Sequence, residues 1–246
     1  MCMKCRNENL VDRAQFSRRR VLGFFGAATA GLALAGTVSA KEAKAPPKPQ
    51  NVVSPDASLE VLVKGNKRYV DGVARRHDFK TEREALVGGQ NPYAGILSCA
   101  DSRIAPEYTF DSARGDLFVC RVAGNFANDD TIASMEYAVA ILGVPLIMVL
   151  GHDACGAIDA TIKSLKDNTT LPGHLPSLVT SLTPAVKAVS GKPGDQLDNA
   201  IRQNVIDNVA KLKSASPILN SAVEKGKLKV VGGIYRLKDG RVEMVS

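Results

Sequence analysis

Short apolar runs and helical spacings alternate along the chain. The runs at 95–97 and 146–150 are unbroken, as in strands of a parallel sheet covered on both faces. Runs at 117–120 and 228–235 read as further strands. Between them, apolar residues recur with helical period. Residues 58–69 carry Leu59, Leu62, Val63 and Tyr69 on one stripe, weakened by Gly65. Residues 130–139 form a second helix, capped by Asp129 or Asp130 and ended by Gly143, with Pro145 before the next strand. A loop is expected over 168–176, then helices over 177–189, 196–212 and 216–225, the last stopped by Gly226. Lys238-Asp239-Gly240 turns the chain into a final strand over 241–245, an edge hairpin. Strands alternating with helices predict an α/β fold, a mostly parallel sheet of four to five strands flanked by helices.

Soft ligands sit just past two of these strands. Cys99 follows the first, and His152 and Cys155 follow the run at 146–150. Three residues apart, His152 and Cys155 would face the same way from the first turn of a helix. A single Cys after a strand is ordinarily a small buried hydrophobe. Two such sites in a chain with three His point instead to a metal. Two thiolates and one imidazole give zinc three protein ligands and leave the fourth tetrahedral position open. A shared metal requires the two ligand-bearing strands to be neighbours. The strand around Phe118 then lies on the far side of the first, giving the order 2-1-3-4 with the hairpin at the edge. Connections leave in opposite directions there, at the switch point where open α/β sheets bind ligands.

Asp101 and Arg103 lie two apart and share a face of an extended segment. A bidentate pair would keep the carboxylate ionised, either as an acceptor beside the metal or as a salt bridge shaping the turn. Cys120, inside an apolar strand, reads as core, and His77 and His174 read as surface residues with proton transfer as their alternative role. An odd number of Cys after residue 40, two of them better used as ligands, argues against a disulfide scaffold.

Composition adds one domain with a sizeable core: 246 residues, 45% hydrophobic, no Trp. Of the formal charge of +7, residues 1–40 carry +4, which leaves +3 and no case for nucleic acid. That N-terminus reads as an export signal. Ser17-Arg18-Arg19-Arg20-Val21-Leu22 is a twin-arginine pattern, 21–35 is apolar but short for a membrane span, and Val38-Ser39-Ala40 supplies a cleavage site. The expected organisation is a signal peptide at 1–40, a disordered Lys, Ala and Pro linker at 41–54, and a folded domain at 55–246. The mature chain would be periplasmic or otherwise exported, without a membrane anchor. Cys2 and Cys5 fall in the part removed.

The stretches Ser98-Cys99-Ala100-Asp101-Ser102-Arg103 and Gly151-His152-Asp153-Ala154-Cys155-Gly156 resemble the beta-class carbonic anhydrases. So do Gly115-Asp116-Leu117-Phe118-Val119 and Arg121-Val122-Ala123-Gly124-Asn125, and the resemblance runs from residue 58 to residue 246. It implies reversible hydration of carbon dioxide to bicarbonate, with one zinc per chain. It makes Asp101 and Arg103 a catalytic dyad, in which some members let the Asp close the site by binding zinc. It places Gln90, nine residues before Cys99, where the family hydrogen-bonds substrate. Phe118, Ala123, Tyr137 and Gly156 fall where the family lines an apolar pocket across a subunit interface, so a homodimer or higher homo-oligomer is implied. Taken alone, Gln90 is a loop residue, and Phe118 and Tyr137 read as core. Val122 departs from the Asn often found there. Two alternatives remain: hydrolysis of carbon disulfide or carbonyl sulfide on the same scaffold, and a non-catalytic zinc-binding protein. The retained Asp101, Arg103 and Gln90 argue against the second.

Overall fold

A computed structural model describes residues 53–245. The segment expected as an export signal, 1–40, lies outside the described residues. So does the linker at 41–54, except Val53 and Ser54.

The chain begins its fold with α1 (Pro55–Val70). Ser54 caps it, its hydroxyl accepting from the Ala57 N–H, and Pro55 opens the first turn, where a missing N–H costs nothing. Gly65, a poor helix former, has a packing reason in this helix. A Cβ there would lie 1.9 Å from the Phe110 carbonyl oxygen, so glycine is what lets α1 sit directly on that backbone. The adjacent Asn66 is buried and fully used. Its amide donates to Thr109 O at 3.0 Å and Gly240 O at 2.8 Å, and its oxygen accepts from Val242 N at 2.9 Å. One carboxamide thus ties α1 to the C-terminal hairpin, and each backbone group it satisfies would cost about 1–3 kcal/mol if left buried and unpaired.

α2 (Phe79–Leu86) has no counterpart in the sequence reading, because it buries no residue and so shows no apolar stripe. Asp78 starts it by accepting from the N–H groups of Lys80 and Thr81. β1 (Ala94–Ser98) follows, buried at every position. α3 (Pro106–Thr109), a single turn, leads to β2 (Leu117–Arg121), which is only half-buried. α4 (Asp129–Ala140) is capped by Asn128, not by Asp129 or Asp130. Asn128 and Thr131 form a reciprocal capping box, and the two aspartates occupy the first turn, where the helix dipole favours them.

β3 (Leu146–His152) is buried throughout. α5 (Gly156–Asp167) runs to Asn168, which ends it in a left-handed conformation at φ 51. The loop expected over 168–176 is therefore shorter, since α6 (Leu175–Ala188) takes Pro176 into its first turn. α7 (Gln196–Ser214), α8 (Ile218–Glu224), β4 (Lys229–Tyr235) and β5 (Val242–Met244) complete the fold close to their expected places.

The sheet order is β2-β1-β3-β4-β5. β1 runs parallel to β2 and β3, β4 parallel to β3, and β5 antiparallel to β4 at the edge. Successive residues of the central strands fill opposite layers. Leu97, Ile147 and Val149 pack under α4 to α8, while Ile96, Met148 and Leu150 pack with Leu62 of α1 and Phe110. Each such buried side chain contributes about 1.5–3 kcal/mol. Both layers hold β1 and β3 side by side, with Ser98 opposite Leu150, so the residues just beyond them must meet.

Candidate metal centre

Cys99 is the first residue after β1, and His152 is the last of β3. Cys155 does not share a helical turn with His152, as the spacing suggested. It is the N-cap of α5, and the chain between them turns through Ala154 at φ 51. Reversal through a left-handed residue, not helical periodicity, brings imidazole and thiol together. The ligand atoms of Cys99, His152 and Cys155 all lie within 4.8 Å of one another, and all three residues are buried. Among the described residues this is the one such cluster of His, Cys, Asp and Glu with metal-binding geometry.

His152 decides how the cluster fits a metal. Its Nδ1 lies 2.8 Å from the Asp153 carbonyl oxygen, so Nδ1 carries the proton and donates it. Nε2 is left without a hydrogen-bond partner although the side chain is fully buried. A buried, unpaired ring nitrogen beside two thiols suits a borderline-soft cation such as zinc. The two thiols share a proton. The contact with Cys155 is the main cause that pulls the Cys99 thiol well below its ordinary value. The same contact with Cys99, followed by burial, pushes Cys155 up. Burial alone would pull His152 down, but the neighbouring Cys99 thiolate outweighs it and holds the ring above its ordinary value.

Asp101 and Arg103 form the bidentate pair. Arg103 Nε donates to Oδ1 at 2.9 Å and Nη2 to Oδ2 at 2.8 Å, and the Arg103 backbone N–H also reaches Oδ1 at 2.9 Å. Asp101 Oδ2 lies 3.9 Å from His152 Nε2, so the carboxylate borders the ligand cluster. Arg103 Nη2 also donates to the Ala154 carbonyl oxygen at 3.3 Å, joining the two ligand loops. Chiefly through the Arg103 hydrogen bond, the Asp101 carboxyl sits well below the usual carboxylate range.

Arg121, at the end of β2, holds the first ligand loop in place. Its Nε donates to Cys99 O at 3.0 Å and its Nη2 to Asp101 O at 2.7 Å, clamping both ends of the first ligand loop. Gly124 N–H donates to Cys99 Sγ at 3.3 Å.

The expected pocket residues fall on several separate elements. Ala123 lies beside Gly124 in the loop that reaches Cys99, and Gly156 opens α5 next to Cys155. Phe118 and Tyr137 contact each other, with ring centroids 6.2 Å apart, but neither is core. β2 is the edge strand, which leaves Phe118 half-buried and Tyr137 46% exposed. Gln90 is exposed in the segment before β1. Cys120 is half-buried against the larger cluster, and burial raises its thiol. His174 is exposed, as expected. His77 is not a free surface residue: its ring lies 3.0 Å from Glu82 and 3.7 Å from the buried Asp111.

Residues 94–242 match the carbonic anhydrase family model. Carbonic anhydrase 2 of Mycobacterium tuberculosis is 38% identical over 189 residues, covering 76% of this chain and 91% of that protein. A carbonic anhydrase of Mycolicibacterium smegmatis is 38% identical over 195 residues, 78% of this chain and 94% of the relative. Among solved structures, the beta-carbonic anhydrase CcaA superposes with a TM-score of 0.59 at 30% identity, covering 76% of this chain and 95% of its own. A structure of two tetrameric beta-carbonic anhydrases from Sordaria macrospora gives a TM-score of 0.60 at 26% identity over 78% of this chain and 95% of that one.

Proposed function

The chain belongs to the beta-class carbonic anhydrases, and we propose that it hydrates carbon dioxide reversibly to bicarbonate with one zinc held by Cys99, His152 and Cys155. The observation that carries the zinc assignment is His152 Nε2, buried and unpartnered within 4.8 Å of two thiols. Zinc, when bound, supplies a hydroxide nucleophile near neutral pH. The chain's own part is to orient it. Asp101, fixed at both oxygens by Arg103, presents an acceptor at the mouth of the cluster. With zinc bound, that acceptor would take the nucleophile's hydrogen bond and so orient it toward the substrate. Ala123, Gly156, Phe118 and Tyr137 supply the apolar side of the pocket, where a small uncharged gas loses little by leaving water. Zinc content and hydration of carbon dioxide, carbonyl sulfide and carbon disulfide, measured on one preparation, test this reading. A zinc-free active sample, or a zinc-loaded one that hydrolyses only the sulfur gases, overturns it.

The active unit is a homodimer or larger, in which Gln90 and Tyr137 complete the pocket of a neighbouring chain. Gln90 is exposed, and Tyr137 on α4 and Ile141 at its C-cap leave 46% and 67% of their surface open, beside the edge strand β2. Sedimentation is expected to give at least twice the chain mass. A fully active monomer would remove the interface from the mechanism.

Export through the twin-arginine route is supported by Ser17-Arg18-Arg19-Arg20-Val21-Leu22. With Arg18, Arg19 and Arg20 all changed to Lys, the precursor is expected to stay in the cytoplasm. Undiminished export of that variant would point to another route.

A further inference from the structure

α7 carries two carboxamides one turn apart on its buried face. Asn204 is 2% exposed and Asn208 7%, among Ile201, Val205, Val209 and Leu212. A buried amide without partners costs about 1–3 kcal/mol, so this face tolerates the pair only because both are hydrogen-bonded. Asn208 Nδ2 donates to Asn204 O at 2.7 Å and to Asn204 Oδ1 at 3.0 Å. The remaining bonds leave the helix for one short segment. Asn204 Nδ2 donates to Gly124 O at 2.9 Å, and Asn208 Oδ1 accepts from Ala127 N at 2.7 Å. Lys211 Nζ adds a third tie, to Ala127 O at 2.6 Å.

The segment they hold has no regular structure, and it is wound through two successive left-handed residues. Gly124 has φ +86 and Asn125 has φ 42. A side chain at Gly124 would be strained at that φ and would have to displace Leu182, whose terminal carbons would lie 2.9 Å from its Cβ. Glycine has the widest conformational freedom of any residue, so something outside the segment must fix it. On one side the Val122 N–H donates to Ser98 O at 3.1 Å. On the other the Asn204 amide fixes the Gly124 carbonyl. Between these two ties the Gly124 N–H is aimed at Cys99 Sγ.

We propose that Asn204 and Asn208 are positioning residues for the metal centre, acting through the Gly124 peptide N–H on Cys99. This rests on the reading of Cys99 as a metal thiolate. Two thiolates put more negative charge on zinc than imidazoles would. A peptide N–H on one sulfur draws part of that charge back and leaves the metal a stronger Lewis acid. The carboxamides touch neither metal nor substrate; they hold the donor in line.

The test uses the full chain loaded with a spin-active cadmium isotope, or with cobalt, in place of zinc. In the parent, the Gly124 amide proton is expected to show scalar coupling to cadmium through Cys99 Sγ. Asn204→Leu puts an apolar side chain of similar size in place of the carboxamide and removes the donor to Gly124 O. It is expected to keep its metal, lose at least half of that coupling, and shift the sulfur-to-cobalt charge-transfer band to lower energy. With zinc, its turnover is expected to fall about tenfold. Should Asn204→Leu not fold, Asn208→Ser is read in the same way, and the parent coupling needs no variant. A parent that binds cadmium without coupling at Gly124, or a folded variant with parental coupling and band, overturns this inference alone. A parent that takes up neither metal overturns the zinc reading, and this inference with it.

Discussion

Cys155→Ala is expected to lose zinc and carbon dioxide hydration together, while Cys120→Ala keeps both. Cys155 is one of three ligand atoms within 4.8 Å, and two protein ligands do not hold zinc in the open three-ligand geometry. Its loss should weaken zinc binding by several orders of magnitude. The fold is expected to survive, because Cys155 caps α5 without a side-chain cap bond. Circular dichroism and a melting curve distinguish metal loss from unfolding. Cys120 is the matched control, a thiol on β2 packed against the apolar cluster and outside the ligand set. A Cys155→Ala protein with parental zinc and rate would sink the ligand assignment. The pair also fixes the sign of a pH effect. With Cys99 pulled down and Cys155 pushed up, the metal-free pair retains a proton that zinc must displace. Apparent zinc affinity should therefore fall as pH falls, and more steeply once the His152 ring and then the Cys99 thiolate take up protons that zinc must also displace.

How much of this was legible depended on whether a feature left a local trace. β1 and β3 lie inside the sheet, so their burial on both faces shows as unbroken apolar runs. The ligands follow directly from the strand ends. Once Cys99 and His152 must share a metal, the strand order follows as well, and the sheet has it. α2 left no such trace because none of its residues is buried. The Asn128 cap went unread because the two aspartates after it are equally good capping residues by type. Only the extended backbone of Asn128 and its partner Thr131 decide between them. The turn at Ala154 was hidden for a similar reason, since alanine does not advertise a positive φ. The grip of α7 on the Gly124 loop spans about eighty positions in sequence and shows there as nothing more than two asparagines in a helical stripe. Phe118 and Tyr137 looked like core because aromatic residues in strands and helices usually are. Their exposure follows from β2 being an edge, a property of the whole sheet.

The second large effect concerns the pair beside the metal. Arg103→Ala is expected to keep zinc and lose about a hundredfold or more in rate, the scale of a misplaced orienting group. In the parent, both Asp101 oxygens are occupied by the Arg103 fork, and the carboxyl is held well below its usual range. A carboxylate depressed in the folded state keeps its pairing above that range and loses it only as pH falls through the lowered value. Ordinary acidification near neutrality should therefore not release it; removing the guanidinium should. Asp101 Oδ2 already stands 3.9 Å from His152 Nε2, so the freed carboxylate has a cation within easy reach, and the backbone N–H of residue 103 occupies Oδ1 alone. Asp101 is then expected as a fourth oxygen donor, visible by X-ray absorption on the zinc-loaded variant. Arg103→Lys keeps the charge but not the fork, and is expected to fall between the two. Asp101→Ala should be slow for a different reason: the acceptor is gone, but no carboxylate remains to occupy the metal, so its spectrum should keep water as the fourth ligand. The two slow variants thus separate a gate from a salt bridge. Near-parental hydration by either would reduce the pair to a support for the turn between β1 and α3.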